Sequence, residues 1–154
     1  SPPVAQDGAW STTEGVAVTV TLSSSDPDGP GPNTYTVGSP SNGVLAGVAS
    51  NLVYTPHDEF DGSDSFTWSV NDGVDESNVA TVTIDVAEVN DPPVAESGSA
   101  STSEDVPVVI TLSFVDPDGP GPYTYTIDSP GNGMLSGTAP VARCHGNWER
   151  PFGR

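Results

Sequence analysis

The chain has 154 residues, with three basic and twenty-one acidic side chains, and so a formal charge of −18 at pH 7. The three arginines (Arg143, Arg150, Arg154) all fall in the last dozen positions, which leaves residues 1–140 with twenty Asp and Glu and neither Lys nor Arg. A surface of one sign repels itself and makes nucleic acid and anionic lipid poor partners, and no apolar run is long enough for a membrane helix.

In chain order, Pro2-Pro-Val-Ala5 opens a unit that starts again at Pro92-Pro-Val-Ala95. Thirty of the forty-eight positions from Pro2 to Ala49 are identical, without gaps, in Pro92 to Ala139. A ninety-residue period defines a tandem repeat, and ninety residues is close to one immunoglobulin-like sandwich. The domains read as 1–91 for a complete repeat, 92–139 for the N-terminal part of a second copy, and 140–154 for a tail outside the repeat.

Period-two alternation separated by Gly, Pro, Asp and Asn clusters marks the strands. Val16, Val18, Val20 and Leu22 share one face, and DPDGPGP (26–32) then breaks the chain, since its prolines and glycines forbid strand and helix. Tyr35 and Val37 start the next strand, SPSNG (39–43) turns it, and Leu52 with Tyr54 mark another. After a long acidic loop, Phe66, Trp68 and Val70 alternate with Ser65, Thr67 and Ser69, so Trp68 reads as core. NDGVDESN (71–78) is a turn, and Ala80, Val82, Ile84 and Val86 line the last strand. That strand runs into the joint Val89-Asn-Asp-Pro-Pro-Val-Ala95, which paired prolines stiffen. Helical periodicity is absent. Six or seven such strands predict an all-β, Greek-key sandwich repeated in tandem, with the second repeat truncated.

In the second copy Val106, Val108, Ile110 and Leu112, DPDGPGP (116–122), and Tyr125 with Ile127 follow the same plan. From Pro140 the sequence PVARCHGNWERPFGR departs from the first copy and reads as a junction, a frame change or a fragment end. The second copy then lacks partners for its inner face. An exposed apolar side is expected to be covered by Trp148 and Phe152 of the tail, by the first copy, or by self-association with another chain. Ser1, directly followed by a repeat start, suggests a piece of a longer secreted protein. The single cysteine, Cys144, excludes an intrachain disulfide, so metal is the expected staple.

Alternating strand direction places Glu14, Glu59, Asp61 and Asp64 at one end of the first copy, and Asp116 with Asp118 at the facing end of the second. Glu88, Asn90 and Asp91 lie in the chain between. Carboxylates gathered without a basic partner need a cation. Calcium takes about 6–8 oxygen ligands of this kind, whereas zinc would prefer His or Cys. The other reading of the same residues is as ordinary turn formers.

With TEG or SED near the first strand end, DPDG, FDGSDSFTWSVNDG and VNDPP in one chain, the sequence resembles the bacterial cadherin-like and immunoglobulin-like repeats of large secreted adhesin-type surface proteins. That resemblance covers the first copy and the second to Ala139. It implies interdomain calcium, with Glu14, Asp61, Asn90, Asp91, Asp116 and Asp118 in matching places and Glu88 beside them. It also implies neighbouring repeats as partners and an extracellular, cell-surface location.

Catalysis is not expected: His57 and His145 are the only neutral-pH bases, and neither lies in a recognisable nucleophile arrangement. The resulting expectation is a non-catalytic extracellular spacer or adhesion module, calcium-rigidified at the joint. The alternative is a carbohydrate-binding accessory module of a secreted polysaccharide-acting protein. It would rest on Trp10 and Tyr123, whose equivalents in the other copy, Ala100 and Asn33, are not aromatic.

Overall fold

The structure is a computed structural model that describes residues 1–29 and 31–146. It divides into two compact units, residues 1–89 and the residues from Asn90 on. The described residues are all strand, turn and irregular chain.

In the first unit, β1 (Val4–Ala5) pairs antiparallel with β4 (Ser24–Ser25). One four-stranded sheet has the order β2 (Gly8–Thr13), β9 (Ala80–Ala87), β8 (Gly62–Asn71), β5 (Thr34–Val37). The other has the order β3 (Val18–Thr21), β7 (Asn51–Pro56), β6 (Gly43–Val48). The β2–β9 pair is parallel, with Trp10 opposite Ile84, so both strands run toward the joint. The remaining pairs in the two sheets are antiparallel.

Alternation decides which side chains meet between the sheets. Val20, Leu22, Leu52 and Tyr54 come from one side and Phe66, Trp68, Val70, Ala80, Val82, Ile84 and Val86 from the other, all buried in one cluster. At about 25 cal/mol per Å² of apolar surface, such side chains each contribute on the order of 2 kcal/mol, and this inner layer is the main source of the unit's stability. Val16, expected on that face, lies before the strand begins and is exposed.

Asp64 enters this core as a carboxylate that is only 4% exposed. It accepts hydrogen bonds from Ser41 N–H (3.2 Å), Asn42 N–H (3.0 Å), Ser65 N–H (2.9 Å) and the Tyr54 hydroxyl (2.8 Å). These donors fasten the 39–43 turn to β7 and β8. Burial and the Asp64 carboxylate together push the Tyr54 phenol well above its ordinary pKa.

In the second unit, β10 (Val94–Ala95) pairs with β12 (Phe114–Val115), repeating β1 with β4. A three-stranded sheet has the order β11 (Val108–Thr111), β14 (Val141–Gly146), β13 (Gly133–Thr138). Its register is that of β3, β7 and β6 shifted by ninety: Val18 opposes Tyr54, and Val108 opposes Cys144. Identity stops at Ala139, yet the strand after it forms. Backbone pairing accepts Val-Ala-Arg-Cys-His-Gly where the first copy has Asn-Leu-Val-Tyr-Thr-Pro.

One expectation is corrected in this unit: the strand expected at Tyr125 and Ile127 is irregular chain. In the first unit the equivalent residues form β5 by pairing with β8, Tyr35 opposite Val70 and Val37 opposite Trp68. Among the described residues the second unit has no counterpart of β8 or β9, so the segment has no ladder to join. Trp148 and Phe152 lie outside the described residues.

Candidate functional site

At the joint end of the first unit, β2 and β9 finish side by side. Glu14 N–H donates to Ala87 O at 2.9 Å, and the Glu14 carboxylate Oε2 accepts the Val89 N–H at 3.2 Å. The half-buried Glu14 thus holds the chain where it leaves the sheet. From the 57–61 loop, Glu59 brings a carboxylate oxygen within 4.8 Å of one from Glu14. Glu59 has a φ of 58°, the left-handed region that non-glycine residues seldom enter. Its loop is closed by Phe60 N–H on His57 O at 3.2 Å.

Asp61, in the same loop, is exposed, and the loop residue brought to Glu14 is Glu59. Asp64, expected with them, is buried and saturated by four donors, so its oxygens serve the core. Period-two alternation could have flagged it, since Asp64 shares parity with Phe66, Trp68 and Val70. Glu88 is exposed.

In the second unit the joint residues are tied to the DPDG loop. Asp91 N–H donates to the Asp118 carboxylate, and Asp118 N–H donates to Asp116 Oδ1 at 3.1 Å. Asn90 Nδ2 donates to Asp91 O at 3.3 Å. The same clamp stands ninety residues earlier, where the Ser1 amino group meets Asp28 and Asp28 N–H donates to Asp26 Oδ1 at 2.9 Å. The second aspartate of DPDG therefore fixes the nitrogen just before the paired prolines in both copies. Asp116 also accepts the Tyr123 hydroxyl, which raises that phenol's pKa.

At the other end of the first unit, in the 71–78 turn, Asp72 Oδ1 accepts the N–H of Val74 (2.8 Å) and of Asp75 (2.7 Å). The Asp75 amide first, then that of Val74, holds the Asp72 carboxyl below its ordinary value.

The donor set suits a hard divalent cation. Glu14 and Glu59 offer carboxylate oxygens, and residues 1–89 contain neither Lys nor Arg. Two carboxylates about 4 Å apart repel by about 1 kcal/mol even in water. Neither residue offers nitrogen or sulfur, which fits calcium better than zinc.

The two aromatics of the carbohydrate alternative are not a row of open platforms. Trp10 occupies an inward position of β2 and packs partly buried against the core cluster. A Cβ on Gly8 would lie 2.3 Å from its ring, so that glycine is what lets the indole fold inward. Tyr123 is half-buried, edge-on to Phe114 with ring centroids 4.6 Å apart. Cys144 and His145 sit on β14; His145 meets the Ser136 hydroxyl at 3.2 Å, and no metal-ligating group among the described residues includes either one.

Comparison with known proteins agrees with this architecture. No curated protein matches the chain. Among solved structures, protocadherin gamma B2 extracellular cadherin domains 3–6 align at 14% identity and a TM-score of 0.51, over 95% of this chain and 39% of that one. The chain thus spans well under half of that structure's length, and the likeness is one of fold. The N-terminal Ig1–2 module of the Drosophila receptor protein tyrosine phosphatase DLAR aligns at 14% identity and a TM-score of 0.37, over 97% of this chain and 86% of that one. Residues 1–85, more than half of the sequence, match the Bacterial Ig domain family. The chain, an all-β sandwich of the immunoglobulin and cadherin kind, belongs to the Bacterial Ig domain family.

Proposed function

We infer that this chain is a non-catalytic spacer or adhesion module of an extracellular surface protein, stiffened by calcium where one repeat passes into the next. The observation that carries the reading is the Glu14–Glu59 carboxylate pair, within 4.8 Å, in a unit whose sequence contains neither Lys nor Arg. Glu14 also holds the Val89 amide, so an ion drawn to Glu14 acts on the first residues of the joint. Asp91 follows Val89 by two residues, and Glu88, Asn90, Asp61, Asp116 and Asp118 are the further oxygen donors of the joint and its flanking loops. When bound, calcium supplies positive charge that offsets carboxylate repulsion and so restricts the joint. The partners of such a module are neighbouring repeats of the same chain.

Extracellular modules typically bind calcium with Kd of about 10⁻⁴–10⁻³ M, so calcium at millimolar levels keeps the joint loaded. Small-angle scattering and thermal melting in about 2 mM calcium and in chelator test this. Maximum dimension and Tm are both expected to rise with calcium, and Glu14→Gln with Glu59→Gln is expected to remove most of the response. Identical scattering curves and melting temperatures in the two buffers would contradict the reading.

A further inference from the structure

We propose that the first unit pairs with a second copy of this chain along β6, edge to edge and antiparallel, giving one continuous sheet across a two-fold axis. Charge sets the place of contact. Residues 1–89 hold thirteen Asp and Glu, yet none falls between Asp28 and Asp58, so β5, β6 and β7 are uncharged throughout, as is β3. Two chains of formal charge −18 repel over most of their surface, and this flank is where they approach at least cost. β6 is also an undefended edge. Among the described residues it is the outermost strand of its sheet, and it has neither the proline nor the charged side chain that usually guards an edge. By contrast β2, at the edge of the other sheet, lies between Asp7 and Glu14.

The strand is complementary to itself. Asn42 O accepts the His57 N–H at 2.9 Å, so the ladder to β7 takes up the even-numbered residues of β6. Alternation then leaves the N–H and C=O of Gly43, Leu45 and Gly47 directed outward. Centred on Ala46, an antiparallel copy sets Leu45 against Gly47 for hydrogen bonding and Val44 against Val48 on the solvent face. Those valines are 57% and 83% exposed, and their burial as β-branched cross-strand pairs is the gain. Ala46 meets its own copy on the axis, where small side chains let the backbones close. Behind β6 a cleft of about 880 Å³, lined by Tyr35, Val37, Leu45 and Leu52 among others, has room for Leu45 of the second copy. A six-residue edge buries less than the roughly 800 Å² per partner of a standard interface, so the pair is weak, half-associated at about 0.1–1 mM. Several such edges in one array add by avidity.

The test is sedimentation equilibrium of the full chain at about 0.01–2 mM, with hydrogen exchange at both ends of that range. Chelator is present throughout, so that calcium at the joint plays no part. A monomer–dimer equilibrium that tightens with added salt is expected, and the Leu45 and Gly47 amides should gain protection as the dimer fills. Val44→Glu with Val48→Glu sets glutamates opposite each other twice and should weaken dimerisation by more than about tenfold. Val74→Glu with Val79→Glu, at residues 86% and 70% exposed outside β6, adds the same charge and should leave dimerisation nearly unchanged. All four valines already face water, so Tm should hold in both variants. A monomer at every concentration, a dimer that ignores the β6 glutamates, or equal loss in both variants would each overturn the proposal. So would Leu45 and Gly47 amides indifferent to concentration.

Discussion

At the residue scale, the first unit depends on a few side chains whose roles separate cleanly. Asp64 carries a charge into the core and survives there because four donors converge on it. Asp64→Ala is expected to cost about 3 kcal/mol in denaturant unfolding, because it orphans buried amides as well as the Tyr54 hydroxyl. Tyr54 gives a pH signature. Its folded pKa is raised above the unfolded value of about 10, so the stability it contributes is fully present below pH 10 and is lost as pH climbs further. Tyr54→Phe should flatten that alkaline limb in thermal melts at pH 9–11. An unchanged slope would mean that the phenol is not the titrating group. Trp68 is 2% exposed, and its indole N–H finds no partner among the described residues. Trp68→Ala should cost about 3–5 kcal/mol through the cavity it leaves, whereas Trp68→Phe, which also removes the orphan donor, should cost far less.

At the scale of elements, the sequence and the structure agree where a strand buries one face and part where pairing decides. The strands carrying Val20, Leu52, Phe66 to Val70 and Ala80 to Val86 are legible because every second residue is apolar and ends up buried. β6 is harder to read: Gly43 and Gly47 interrupt the pattern, and Val44 and Val48 face water at the sheet edge. β2 hides for another reason. Its pattern holds a single large apolar residue, Trp10, and its pairing with β9 joins residues more than seventy positions apart. The opposite error falls at Tyr125 and Ile127, whose alternation matches β5 while their ladder partner is missing. Alternation states what a strand would bury, and only a neighbour supplies the hydrogen bonds that make it one. Hydrogen exchange makes the contrast measurable: the β5 amides that bond to β8 should be protected, and their counterparts in 124–127 should exchange at least about a hundredfold faster. Equal protection would show that the second unit completes its sheet.

At the scale of the whole molecule, one-signed charge is the dominant fact, and it was plain from composition alone. Which carboxylates meet was only partly legible. Strand direction brings Glu14 and the acidic loop to one end of the first unit, but the loop's internal turn presents Glu59 to Glu14 and leaves Asp61 exposed. The left-handed backbone at Glu59 is a feature of packing that no spacing rule encodes. Burial likewise diverts Asp64 from the surface, and a hydrogen bond to the Asp91 amide engages Asp118 within its own unit. The acidic end of the first unit is expected to draw in calcium. The most direct measurement is a calcium titration of the intact chain followed by amide NMR, with magnesium as the comparison and the Val89 amide as reporter. The prediction is a saturable shift at Val89 and around Glu14 and Glu59, with a midpoint at about 0.1–1 mM calcium and little response to magnesium. Shifts that grow linearly without saturation, match in magnesium, or spread evenly over every acidic loop would contradict it.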